Sequence, residues 1–281
     1  MMSKTAVSLL GLALIALPAM AGSVDEWLKA ARASLEKGKP KAALELAEKA
    51  LRSEPKSADA HYLRGLAHED LEKYREAVAD FTKVLEFDPQ AARAYNQRGS
   101  AHFKLGEFAK SVADFNKYLE LQPEQKNGHW RRGISFYYTK QYDEGRKQFE
   151  GYEKVDTNDV ENAVWRYLCM APVVGVEKAR AAMLKIGKDR RVPMTEVYEL
   201  FCGRLKPADV LTAAKAGSPS AEQLNRRLFY ANLYLGLYYE SLGDGKRALE
   251  HLTTARDHRI GHYMWDVARV HVDLLRKKKD G

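Results

Sequence analysis

Cysteine is almost missing from this 281-residue chain: only Cys169 and Cys202 occur. Two thiols cannot make a disulfide framework or a four-cysteine zinc site, so the fold must rest on an apolar core. In an exported chain the two could pair, adding roughly 3–4 kcal/mol through chain entropy; two buried thiols are the alternative. Catalytic patterns are missing as well. There is no H-E-x-x-H, no G-x-S-x-G, no P-loop and no Cys–His arrangement at a known spacing. His61 and His68 lie seven apart on one helix face, but at packing positions, and read as core or rim histidines rather than metal ligands. The expectation is therefore a non-enzyme with no cofactor and no metal site. Sustained period-2 alternation is also lacking, which excludes a sheet domain. After residue 21 no apolar run is long enough to span a bilayer.

Charge of one sign is not in strong excess. Forty-six Lys and Arg stand against 38 Asp and Glu, a net +8, and the charges are dispersed. Nucleic acid is not an expected partner; an acidic protein surface or an anionic envelope polymer fits such a balance better. The tail Arg276-Lys277-Lys278-Lys279 reads as a solvated helix end, suited to the negative end of a helix dipole. At the other end, Lys4, the apolar run over 6–17, Pro18 and then Ala19-Met20-Ala21 read as a cleaved secretory leader, residues 1–21. The mature chain would start near Gly22, with 260 residues and a net +7. The residue directly after that cleavage point is Gly22, not cysteine, so the expected location is periplasmic or secreted without a lipid there.

What is present is a period. Pro55, Pro89 and Pro123 are 34 residues apart, as are Gly65, Gly99 and Gly133, and Phe81, Phe115 and Phe149. Three markers in one register specify a helical repeat array. With Ala58 as position 1, Gly65 is position 8, Ala77 position 20, Phe81 position 24 and Pro89 position 32. This resembles the tetratricopeptide pattern, two antiparallel helices per repeat. Small residues at 8 and 20 let the helices approach, Phe at 24 fills the space between neighbouring repeats, and Pro at 32 ends the second helix. Units are expected at 24–57, 58–91, 92–125 and 126–159, the last with Thr157 in place of the proline, and again from Phe229. Arg64, Arg98 and Arg132 recur at position 7, with Asp80 and Asp114 at position 23; pairing between packed helices accounts for this ladder better than anion binding.

The expected fold is all-α, a tetratricopeptide-repeat right-handed superhelix or α-solenoid. After the leader come N-terminal repeats (22–159), an irregular helical segment (160–228), and a C-terminal repeat with a capping helix (229–281). Short helices are expected in the middle over 162–170, 177–186, 194–202, 207–215 and 221–228, punctuated by Gly and Pro.

The first helix of each such repeat usually lines a concave surface. That places Tyr62 and Glu69, then Arg93, Asn96, Phe103 and Lys104, then Trp130, Tyr137 and Tyr138 in one groove. Aromatic and arginine anchors suit peptide binding. Burial of Trp130, Tyr137 and Tyr138 against the irregular segment is the competing account. The lysine and asparagine clamp that reads a C-terminal carboxylate is not met.

Tyr234-Leu235-Gly236-Leu237-Tyr238-Tyr239-Glu240-Ser241-Leu242-Gly243-Asp244 resembles the last repeat of the NlpI family of Gram-negative envelope lipoproteins. The order of parts is similar too: repeats, then Trp165-Arg166-Tyr167-Leu168, then Leu200-Phe201-Cys202-Gly203, then a late repeat and a closing helix. The resemblance covers roughly 58–275. It implies an adaptor that holds a tail-specific protease and peptidoglycan enzymes together, and a homodimer. The lipobox cysteine of that family is absent, so the resemblance implies a soluble periplasmic form. A second reading is direct binding of a glycan such as peptidoglycan; an enzyme of unknown type is the third.

Overall fold

The computed structural model describes residues 22–280; the expected leader lies outside them. Helices follow one another in antiparallel pairs. The first four pairs are α1 (Val24–Glu36) with α2 (Pro40–Ser53), α3 (Ala58–Asp70) with α4 (Tyr74–Phe87), α5 (Ala92–Lys104) with α6 (Phe108–Leu121), and α7 (Trp130–Tyr138) with α8 (Tyr142–Tyr152). The first three pairs open where the register starts their units, at 24, 58 and 92, whereas the fourth opens at Trp130 instead of 126. Helices α2, α4 and α6 each stop two residues before Pro55, Pro89 and Pro123, because a residue preceding proline is driven out of helical geometry.

The second, third and fourth pairs are each held by one close approach. A Cβ on Gly65 would lie 2.7 Å from the Phe81 ring; on Gly99, 2.8 Å from Phe115; on Gly133, 2.7 Å from Phe149. Position 24 therefore packs first onto position 8 of its own repeat. It also reaches onward, since Phe81 shares a cluster with Ala101 of the next unit. The turn inside each pair is fixed as tightly. Gly38, Glu72, Gly106, Lys140 and Gly243 all occupy position 15 and all have positive φ, between 59° and 80°. The following amide then donates back five residues, as in Lys73 N to His68 O (2.8 Å) and Glu107 N to His102 O (2.9 Å), closing the helix with a Schellman turn.

Beyond residue 159 the chain continues as α9 (Val160–Val174), α10 (Val176–Ala181), α11 (Met194–Phe201), α12 (Pro207–Lys215), α13 (Ala221–Ser241), α14 (Gly245–Asp257) and α15 (Tyr263–Asp280). Three expectations need correction. Helix α9 runs through Pro172 to Val174 and ends at Gly175, where φ is 86°. The helix expected over 177–186 stops at Ala181. The chain after it is instead pinned to the start of α9, where Asp189 accepts from the Val160 amide (3.3 Å) and Gly187 donates to Thr157 O (3.0 Å). The helix expected over 221–228 and the first helix of the repeat expected from Phe229 are one 21-residue helix. A capping box at Ser220 and Gln223 starts it, and the one glycine inside, Gly236, packs on Leu252 instead of breaking it.

The core follows this division. Between the first units it is a series of small clusters, such as Ala31, Ala47 and Leu63. From Phe103 to Val272 it is one continuous body of side chains, including Trp165, Tyr167, Phe201, Phe229 and Tyr234. Cys169 and Cys202 are both free thiols, so the pairing alternative is not realised. Burial pushes the Cys169 thiol well above its ordinary value.

Replacing Gly99 by Ala adds helix propensity but drives a methyl into Phe115 and to 3.2 Å from Asp114 Cβ. Overpacking wins, and we expect a net loss of about 1–2 kcal/mol. In urea unfolding the midpoint should fall, and Gly99→Ala combined with Phe115→Leu should cost less than the sum of the two single changes. Additive costs would mean that the ring and the glycine do not set the helix spacing.

Candidate functional site

The arginine ladder is structural. Arg64 forks onto Asp80 (2.7–3.0 Å) and Arg98 onto Asp114 (2.7–2.8 Å). Arg132 does the same to Gln148, which stands where the pattern has Asp (2.7–2.9 Å). Two of the three also reach the preceding unit: Arg98 donates to Thr82 (3.1 Å) and Arg132 to Asn116 (3.1 Å). Arg166, 34 residues after Arg132, donates to Glu150 (3.0 Å). The ladder thus runs one step further than the other repeat markers. His61 and His68 join it, each with Nδ1 about 3 Å from a carboxylate oxygen of buried Asp80. Burial raises that carboxyl's pKa, but the hydrogen bonds from His68, Arg64 and His61 outweigh it and hold the group below the usual range.

The expected groove residues divide into two sets. Tyr62 lies half-buried with the Arg93 guanidinium 4.3 Å above its ring, and Arg93 pairs with Asp59 at the surface. Lys104 pairs with Glu69 at 2.7 Å. Asn96 accepts from His129 Nε2 (2.9 Å) and from Arg131 (3.1 Å). Because His129 Nδ1 accepts the Arg132 amide (3.2 Å) and so caps α7, its proton sits on Nε2. Of these, Glu69 and Lys104 border an open cavity.

Phe103, Tyr137 and Tyr138 do not remain open to the groove, and this corrects the expectation. Phe103 is fully buried, in contact with Phe108, Tyr138 and Tyr263. Tyr138 donates to His271 Nδ1 (2.8 Å), and Tyr137 points its hydroxyl at Glu240 (3.3 Å) and its edge at Trp165. Burial raises both phenols far above their ordinary value. Trp130 meets Tyr263 edge-on and stacks near His262. The competing account of burial is thus right for the tyrosines. The cover comes from α15 and α13 as well as from α9 of the irregular segment.

Helix α15 is more than an end cap, because it folds back across the earlier repeats. Tyr74 donates to Asp266 (2.9 Å), Arg269 donates to the carbonyl of Lys104 (2.8 Å), and Arg259, just before α15, pairs with Glu72. His271 Nε2 completes the seal on Glu240 (2.7 Å). What remains of the concave face is a cavity of about 370 Å³ between α3, α5 and the 259–266 segment, bordered by Glu69, Lys104, Arg131, Arg259, Tyr263 and Asp266. The Tyr263 hydroxyl is buried without a hydrogen-bond partner. Arg131, Arg259 and Asp266 were not singled out from sequence. Arg131 sits at position 6, beside the ladder arginine, and could have been counted; Asp266 and Arg259 reach the site only through the long-range fold.

Comparison with known proteins agrees with this geometry. A tetratricopeptide repeat family model matches residues 28–92 and 62–126, so that part of the chain consists of tetratricopeptide repeats. A tetratricopeptide repeat protein from Parabacteroides merdae is 17% identical, with 90% of this chain and 98% of that one covered at a TM-score of 0.58. MamA from Desulfovibrio magneticus RS-1 is 18% identical, with 56% of this chain and 89% of that one covered at a TM-score of 0.52. Likeness at this identity establishes the solenoid fold. A search of curated protein sequences returned no match. Among the described residues no helix is long and apolar enough to cross a membrane.

Two outcomes follow from this geometry. Burial and the charges of Arg131 and Arg132 hold the His129 imidazole down to about 3, against an unfolded value near 6.5. Its contribution to stability is therefore complete above about pH 6.5 and is lost as pH falls toward 3. By NMR the His129 ring should show no titration between pH 8 and 5; a midpoint above 5 would contradict its packing. Ending the chain at His262 should uncover Phe103, Tyr138 and Trp130, giving a several-fold rise in ANS fluorescence with most helix retained. No rise would mean that α15 does not cover these rings.

Proposed function

We propose that this protein is a non-enzymatic adaptor of the periplasm, binding segments of other proteins in the part of the concave face that α15 leaves open. The observation that carries the reading is the concave cavity itself. It lies between α3, α5 and the 259–266 segment, and its rim bears both signs of charge. A peptide backbone supplies both donors and acceptors to such a rim, and the rigid helical pairs hold the rim in place before binding, which lowers the ordering cost. The sequence over 1–21 supports export, and the resemblance of residues 234–244 to the NlpI family supports an envelope protease or peptidoglycan enzymes as partners. Holding two such enzymes on one solenoid would raise their local concentration.

The test is capture from a periplasmic extract, followed by re-formation of the complex from the isolated protein and the purified partner. Arg259→Glu reverses an exposed cation at the border of that cavity. We expect a saturable complex that this variant weakens at least tenfold while its circular dichroism stays unchanged. A complex indifferent to the variant would move the partner to another face, and the lack of any saturable complex would remove the adaptor reading.

A further inference from the structure

The arginine ladder has one rung without an acid. Arg64, Arg98 and Arg166 each pair with a carboxylate, of Asp80, Asp114 and Glu150. Arg132 on α7 does not. Its Nε and Nη2 donate to Gln148 Oε1 (2.9 and 2.7 Å), and its Nη1 donates to Asn116 Oδ1 (3.1 Å). These amides hold the guanidinium in place without neutralising it. Burial pulls Arg132 below its ordinary pKa, opposed by the field of Glu144, whereas the bond to Asp114 lifts Arg98 above its own.

This rung borders a cavity of about 340 Å³ between α6, α7, α8 and residues 126–127. It shares no residue with the cavity near α3 and α5. Its charged border is Lys126, Arg132, Glu144 and Lys147. Along α8 the acids Asp143, Glu144 and Glu150 are matched by Arg146, Lys147 and Arg166. The charges of Arg132 and of exposed Lys126 are left in excess. The fork consumes the side-chain oxygens of Gln148 and Asn116, and Gln148 Nε2 is turned to the carbonyl of Lys126 (2.7 Å). With Asn116 Oδ1 fixed on Arg132, its amide N–H group is a donor with no acceptor among the described residues.

An occupant of this cavity must therefore bring negative charge. Water or a hydroxyl could accept from Asn116 but would leave two cations uncompensated beside a partly buried guanidinium. An ammonium ion would be repelled by both. An oxyanion accepts from these donors and supplies the counter-charge that the other rungs have in Asp80, Asp114 and Glu150. We infer that the cavity beside Arg132 is an oxyanion-binding site, taking one phosphate or carboxylate group where the other rungs carry an acid of their own. The site lies away from the cavity assigned to partner binding and does not depend on the adaptor reading.

The test titrates the isolated protein with inorganic phosphate and, separately, with succinate, following the Arg132 Nε–H signal by NMR. Sodium chloride at matched ionic strength is the opposing probe. We expect saturation by at least one oxyanion with a Kd on the order of 1 mM, and none by chloride. Whichever saturates at lower concentration gives the source of the group, a phosphate or a carboxylate such as an acidic side chain. Gln148→Asp installs the acid that Asp80 and Asp114 provide at the same repeat position, and should weaken binding at least about tenfold. Lys126→Gln, at an exposed position, should weaken it about two- to fivefold without lowering the melting temperature in oxyanion-free buffer. No saturation by either oxyanion up to about 100 mM, or an equal response to chloride, overturns the assignment. So does a folded Gln148→Asp or Lys126→Gln protein that binds as tightly as the original.

Discussion

The approach of a phenylalanine ring to a bare glycine Cα sets this structure. In three successive repeats the ring at position 24 occupies the space a side chain at position 8 would need. That contact fixes how near the two helices of a pair can lie, and the positive-φ residue at position 15 fixes how the chain turns between them. With both fixed, these three pairs share one plan, and stacking like pairs gives a solenoid. The C-terminal pair keeps the same plan with other side chains: Gly236 packs on Leu252, and Gly243 makes the turn.

The arginine at position 7 ties one pair to the next. Its fork joins the second helix of its own unit to that of the preceding unit. Alone, a buried guanidinium would be costly; spread over a carboxylate or amide and a second acceptor it becomes a fixed strut. Exchange of Asp for Gln at position 148 keeps the geometry while removing the opposite charge, which indicates that hydrogen-bond geometry is what the position requires.

Closure by α15 changes what the solenoid can present. An open array would offer a long aromatic groove. Here Phe103 and Tyr138 are consumed by Tyr263 and His271, and the exposed concave face shrinks to a charged cavity near α3 and α5. The irregular middle makes this possible. Helices α9 to α12 depart from the 34-residue period, and the large core they share with α13 to α15 brings the end of the chain back over the fourth repeat.

How much of this was legible in the sequence depended on distance along the chain. Repeat boundaries, the Arg–Asp forks and the packing role of His61 and His68 rest on residues within one or two repeats, so spacing alone located them. Of the groove positions read from the register, Glu69 and Lys104 border the cavity near α3 and α5. Phe103, Tyr137 and Tyr138 were placed on the right helix face, yet their exposure depended on a helix more than a hundred residues away. Arg132 was legible as a rung of the ladder; only the tertiary structure shows that Asn116 takes part of its fork and that Lys126 borders the same cavity. Local periodicity determined the helical pairs, because backbone hydrogen bonding and side-chain packing within a pair are short-range. Which faces stay open was decided by α15, whose long-range contacts leave no periodic trace in the sequence.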